Sequence, residues 1–322
     1  MSGTLYYIIN SYGASEQVYR LIARLGQESP GASFIVQFDS RGACYDEQRL
    51  HDLGARAVPI VTPVVWGDFS LTREFIGLLR RLDLQEDDWV IRLTEADYPT
   101  PSLKNFQKEL WSGQFDMVLE RSILRNPSAA NLLARYTAQS YVLPTALTSR
   151  NIFMRVLARI LRRSVRYVPR ISLREQPRGL PPRLEVRRKP PFAGHLDITM
   201  GSEWCALSGK AVHALVAHHQ AHPEVAGWFA RTFVGGEAYM PTVLLSEAAL
   251  VNQDRPLHFL DFEGAHPVWL ETADLPRILA SDCPFARKFT ENSDVLDALD
   301  ALIVLHPLST AATKRAPNTS QE

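Results

Sequence analysis

Three charged residues in the last third of the chain have types and spacing suited to chemistry. Glu237 follows Gly235-Gly236 and opens the run Ala-Tyr-Met-Pro-Thr-Val-Leu, which places it at a helix start. Arg255 and Lys288 come later, roughly 30 residues apart. A carboxylate at a helix start has two readings. The helix macrodipole favours any acid there. The same acid can take a proton from an acceptor hydroxyl if burial lifts its pKa from about 4.3 toward working pH. Spacing alone does not choose between them. Arg255 abuts the apolar Leu-His-Phe-Leu stretch, and Lys288 lies between Phe285 and Phe289 in Phe-Ala-Arg-Lys-Phe. Cations set in apolar runs need an anionic partner, and a diphosphate is one that Arg and Lys commonly hold. Arg287, next to Lys288, should point elsewhere and reads as structural.

These residues must be carried by a scaffold, and the N-terminal half shows its pattern. Strand-like runs at 5–9, 34–38, 57–61 and 89–93 alternate with helical periodicity at Val18, Leu21, Ile22 and Leu25 and at Leu71, Phe75, Leu78, Leu79 and Leu82. Such alternation predicts a mostly parallel sheet, with ligands at the carboxyl ends of its strands. Asn10, Asp39 and Asp97 fall just past predicted strand ends. Asp97, in Thr-Glu-Ala-Asp-Tyr-Pro, reads as a turn former or, with Glu95, as an acid-x-acid metal site. The chain has no Asp-x-Asp, so no metal is expected.

Other classes drop out. There is no phosphate-cradling glycine loop, nucleophile elbow or zinc-protease motif. His218, His219 and His222 have no matching acid or Cys and read as a solvated helix face. Lys and Arg balance Asp and Glu at 35 each across 322 residues, so no global field recruits nucleic acid. Cys44, Cys205 and Cys283 read as free thiols of a reducing compartment. With no leader-like segment and no long apolar run, the expectation is a cytoplasmic protein, bacterial by its lack of an anchor. The segment 155–189 holds twelve Arg or Lys against Glu175 and Glu185. Its first part, 152–161, reads as a basic amphipathic helix and the rest as an irregular loop, suited to an acidic acceptor or to contact with the inner face of the membrane. Residues 307–322 read as a disordered tail.

The ordered motifs resemble one family. Val-Gln-Phe-Asp-Ser-Arg (36–41), Trp-Gly-Asp-Phe-Ser-Leu (66–71), Arg-Leu-Thr-Glu-Ala-Asp-Tyr-Pro (92–99), Gly-Ser-Glu-Trp (201–204), Gly-Glu-Ala-Tyr-Met-Pro-Thr-Val-Leu (236–244) and Phe-Ala-Arg-Lys-Phe (285–289) are similar to those of glycosyltransferase family 14. That family comprises the core-2/I-branching β-1,6-N-acetylglucosaminyltransferases and the peptide O-xylosyltransferases. Gln37 and Asn10 depart from its pattern, which has His at both places. The resemblance implies a single domain over 1–306 with a Rossmann-like α/β fold of the GT-A type, its nucleotide half at 1–120 and its acceptor and catalytic half at 190–304. It implies inverting transfer of N-acetylglucosamine or xylose from a UDP-sugar to a glycan, lipid-linked glycan or peptide. Glu237 would be the base. Arg255 and Lys288 would hold the diphosphate in place of a metal, with no cofactor. Asn10, Asp39 and Asp97 would line the nucleotide-sugar site, and Glu203 and Trp204 the acceptor groove. The alternatives are an inactive glycan-binding relative and a basic membrane- or nucleic-acid-binding module.

Overall fold

The computed structural model describes residues 3–42, 44–121, 135–143, 156, 159–160, 163–164, 167–174, 182–263 and 266–305. Apolar strands and amphipathic helices alternate as the pattern predicts. Strands β1 (Leu5–Ser11), β2 (Ser33–Phe38), β3 (Ala55–Pro59) and β4 (Trp89–Thr94) pair in parallel. Their main helices are α1 (Ser15–Glu28), α2 (Glu47–Asp52) and α3 (Ser70–Leu79). The third strand begins and ends two residues before the predicted one, leaving Val61 84% exposed in the loop beyond it.

Residues from later in the chain complete a seven-stranded sheet. After β5 (Asp97–Pro99) and α4 (Leu103–Leu110) come β6 (Met117–Val118), β10 (Ala206–Ser208) and β11 (Asn252–Gln253), giving the order β11-β6-β10-β4-β1-β2-β3. Only β10 runs against its neighbours. The fold is therefore α/β with a mostly parallel sheet, as expected. Side chains alternate along each buried strand. Tyr7 and Ile9 join a core with Leu21, Phe106 and Leu296, whereas Ile8 joins the opposite core with Phe75, Leu215 and Met240.

Beside a two-stranded pair of β13 (Phe262–Glu263) and β14 (His266–Pro267), two three-stranded sheets attach to this frame. One orders β12 (His258–Leu260), β15 (Phe285–Arg287) and β5. The other orders β7 (Ala138–Val142), β9 (Arg183–Arg187) and β8 (Ile171–Arg174). The second corrects the irregular-loop reading of the basic segment, because antiparallel pairing of β8 with β9 buries Arg183 and Glu185. Most of the expected helix at 152–161, and the whole of 307–322, lie outside the described residues. No helix among the described residues is long and apolar enough to cross a membrane.

Candidate functional site

The carboxyl edge of the main sheet is where the motifs meet. Since β10 is antiparallel to β4, the residues before it, Glu203-Trp204-Cys205, return to the edge at which β4 ends. Beside them the helix α7 (Gly236–Ser246; α5 is Gly209–Ala221 and α6 Pro223–Phe229) brings Glu237 in its first turn.

Local sequence explains how these segments lock together. Pro241 lies inside α7 and has no N–H to give the Glu237 carbonyl four residues back. The Gly201 N–H supplies that bond instead, at 2.8 Å. The Gly-Ser-Glu-Trp turn is thus pinned to the backbone of the proposed base. Gly236 makes the other fit. A Cβ there would stand 1.8 Å from Glu203 Oε1 and 2.2 Å from Thr72 Oγ1. Sequence reading took Gly235-Gly236 as a helix start and missed that the second glycine makes room for Glu203.

Glu237 lies between groups that pull its proton affinity in opposite directions. Tyr136 Oη approaches Oε2 at 3.5 Å and Arg135 Nη1 at 4.0 Å. Burial, then the Glu203 carboxylate, push its pKa up to about 7 against the lowering effects of Arg135 and Tyr136. Its side chain nevertheless keeps 43% of its surface accessible. A reachable carboxylate titrating near neutrality can act as a base. Glu203 itself accepts from Thr72 Oγ1 at 2.6 Å and faces the fully buried Arg92 guanidinium at 3.9 Å. Arg92 also stacks over Phe75 and Trp204.

Several expected ligand contacts are occupied within the protein. Asn10 is buried, giving its amide N–H to Gln37 and accepting from Arg92 Nε at 3.3 Å. Its role is to hold Arg92. Asp39 is bound by Arg41 and by the Val64 N–H, and Arg41 holds its carboxyl far below the usual range. Asp97 is fully buried and accepts from the Thr94 N–H and hydroxyl. Arg287 and His258 each face it at 3.3 Å. Burial would raise its pKa, but these partners hold it below the carboxylate norm. Glu95 accepts from the Ser11 hydroxyl and the N–H groups of Tyr12, Gly13 and Ala14, so its carboxylate fills the loop ahead of α1. Both oxygens of Asp97 are engaged, and the four bonds to Glu95 all fall on its Oε2. The described residues contain no group of three or more His, Cys, Asp or Glu arranged for a metal.

The paired-cation expectation requires correction. Arg255 precedes β12 and Lys288 follows β15, and these two strands are parallel, so the residues stand at opposite ends of one strand pair. Arg255 turns to Glu109 at 2.5 Å and stacks on Phe106. Lys288 remains near the carboxyl edge: the next residue, Phe289, donates its N–H to the Ala96 carbonyl, and Lys288 Nζ lies 5.8 Å from the Trp269 ring centre. Arg287, expected to be structural, faces the heart of the cluster, 3.3 Å from Asp97 and 4.4 Å over Trp204. His258 and Arg92 were missed by sequence reading. The burial of a lone Arg inside Trp-Val-Ile-Arg-Leu was the available signal for the second.

No family model matches the chain. Over 122 residues, 35% of the chain, it is 32% identical to the beta-glucuronosyltransferase GlcAT14A of Arabidopsis thaliana. Over 107 residues, 31% of the chain, it is 30% identical to GlcAT14B of the same plant. The matched stretches span about a quarter of those relatives, 26% and 25% of their lengths. Among solved structures, the apo-form glycosyltransferase GlyE of Streptococcus pneumoniae TIGR4 aligns over 94% of this chain and 60% of that one, at TM-score 0.38 and 7% identity. That likeness is too low to carry weight.

Proposed function

We propose that the protein is an inverting glycosyltransferase that moves a sugar from a UDP-sugar to a hydroxyl of a glycan or peptide. The observation that carries this reading is Glu237, an accessible carboxylate poised near pH 7 at the carboxyl edge of a parallel sheet. The partial likeness to two plant glucuronosyltransferases supports it. The motif resemblance favours N-acetylglucosamine or xylose as the sugar, and the names of those relatives add glucuronic acid.

In this reading the acceptor oxygen attacks the anomeric carbon from the face opposite the nucleotide. The O–H proton passes to Glu237, the new C–O bond forms, and the bond from the anomeric carbon to the diphosphate oxygen breaks with its electron pair leaving on UDP. Lys288, near the carboxyl edge, is assigned to meet the charge developing there, and no metal is assigned because both oxygens of Asp97 are taken by Thr94 and Glu95 Oε2 by the loop ahead of α1. Glu203 and Trp204 line the acceptor side, Glu203 also keeping the base protonatable near neutrality.

Glu237→Gln tests the assignment. Folding and UDP affinity should persist, while turnover falls by a factor of about 10² to 10⁴, the usual contribution of a positioned base. A variant that transfers sugar at the parental rate would remove Glu237 from the mechanism.

A further inference from the structure

Beside Glu237, three guanidiniums gather on one aromatic ring. Arg135, Arg174 and Arg183 place Cζ at 5.3, 5.2 and 5.9 Å from the centre of Phe233. Arg174 ends β8 and Arg183 opens β9, so the small sheet delivers two of them together. Trp66 meets the same ring edge-on at 5.7 Å and is 48% exposed, an aromatic surface at the rim of the patch.

The countercharges do not match. Arg174 is ion-paired with Glu185. Arg183 is buried and feels Asp68 and then Glu185, but Glu185 is shared with Arg174 and Asp68 Oδ1 also accepts from the Ser70 N–H and hydroxyl. Arg135 has its side chain 17% exposed, and Glu237 lies 4.0 Å away, beyond hydrogen-bond reach. The buried Arg135 Nε finds no acceptor among the described residues. A buried N–H donor left unused costs free energy unless an acceptor meets it, and next to a charged guanidinium an anion is the strongest one. Glu237, the carboxylate neighbour of Arg135 among the described residues, has a pKa pushed up to about 7 and so offers Arg135 less than a full countercharge near neutrality.

We infer that the acceptor is an acidic glycan, whose carboxylate binds Arg135, reinforced by Arg183, while its neighbouring hydroxyl faces Glu237. The inference rests on Glu237 being the base. The anion belongs to the acceptor because Arg135 approaches the oxygen that would receive the acceptor's proton. A planar carboxylate suits the guanidinium fork, and Trp66 offers a face for the sugar ring.

Calorimetry on the full chain with tri-galacturonate and its fully methyl-esterified form, which share a skeleton and differ in charge, tests this without donor or turnover. The acid should bind about tenfold or more tightly, as expected for a charge-assisted contact. Arg135→Gln should bring the two to parity. Arg183→Gln, which serves if Arg135→Gln does not fold, should narrow the gap. Binding of the acid should also take up protons near pH 7, because an anion on Arg135 cancels the cation that opposes protonation of Glu237. Glu203 and Tyr136, the other groups facing Glu237, are unchanged in this comparison. Glu237→Gln should abolish the uptake and keep the preference. Equal or undetectable binding of both forms, an unchanged preference in the Arg variants, or no proton uptake would each overturn the inference. So would a carboxylate preference shown only between UDP-glucuronate and UDP-glucose, which would put the anion on the donor. If the preference holds while Glu237→Gln transfers sugar normally, the base assignment fails and the anion subsite survives.

Discussion

At the scale of single residues, the proposed chemistry turns on two acids and the charges around them. Glu203 is the nearer cause that can be altered, since its carboxylate helps raise the pKa of Glu237 to about 7. The rate of transfer should therefore rise with pH along a limb centred near 7. Glu203→Gln should move that limb to lower pH, a shift that a rate–pH profile reads directly. Stability should run the other way. The folded-state pKa lies above the unfolded value of about 4.3, so the proton is held more tightly in the folded protein. That contribution is fully present below about pH 4.3 and is lost as pH rises to about 7. Thermal unfolding across this window should show a downward slope that Glu237→Gln flattens.

At the scale of elements, the site is a set of interlocks between segments far apart in sequence. Gly235 and Gly236 look alike on paper but face different obstacles. A Cβ at Gly235 would come within 2.0 Å of the Phe229 carbonyl oxygen, which is backbone, whereas at Gly236 it would meet side-chain ends. Gly235→Ala should cost stability on the order of 1–3 kcal/mol, the range for overpacking. Gly236→Ala should fold but displace Glu203, lowering the pH of the activity limb as Glu203→Gln does. Chemical denaturation and pH profiles separate the two. The cross-strand pair Arg287–Asp97 joins β15 to β5 in register. Arg287→Ala leaves a fully buried carboxylate short of its main countercharge. The expected loss is about 3–5 kcal/mol, the cost of breaking a buried pair from one side, measured by denaturant unfolding.

At the scale of the whole molecule, the mostly parallel sheet brings Glu203, Trp204 and Glu237 to one edge and leaves the cations distributed by topology. Lys288→Ala should weaken UDP binding roughly tenfold or more. Arg255→Ala should leave it unchanged, because Arg255 is engaged by Glu109 at the far end of the strand pair. UDP-induced thermal shifts compare the two, since a ligand stabilises by RT ln(1 + [L]/Kd). Turnover should survive EDTA. Loss of activity restored by manganese would instead make Glu95 and Asp97 metal ligands and dislodge the role given to Lys288.

The sequence by itself determined the class of fold, because alternating apolar runs and helical stripes can bury their faces only in a layered α/β arrangement. It also determined that Glu237 starts a helix, which two glycines and a following apolar run specify locally. What the tertiary structure decided is which charges meet. Asn10 and Asp97 fall past the strand ends expected from the sequence, as ligand-binding residues do, yet the structure puts Asn10 inside β1 and Asp97 at the start of β5, where Gln37, Arg92 and Arg287 claim them. Arg255 and Lys288 share a motif-like spacing, yet the parallel pairing of β12 with β15 sends them to opposite ends. Arg135 carries no signal in its own segment and gains meaning only beside Glu237, 102 positions later. Local pattern is written in neighbouring residues, whereas the proton affinity of a carboxylate depends on burial and on charges brought in by distant ones.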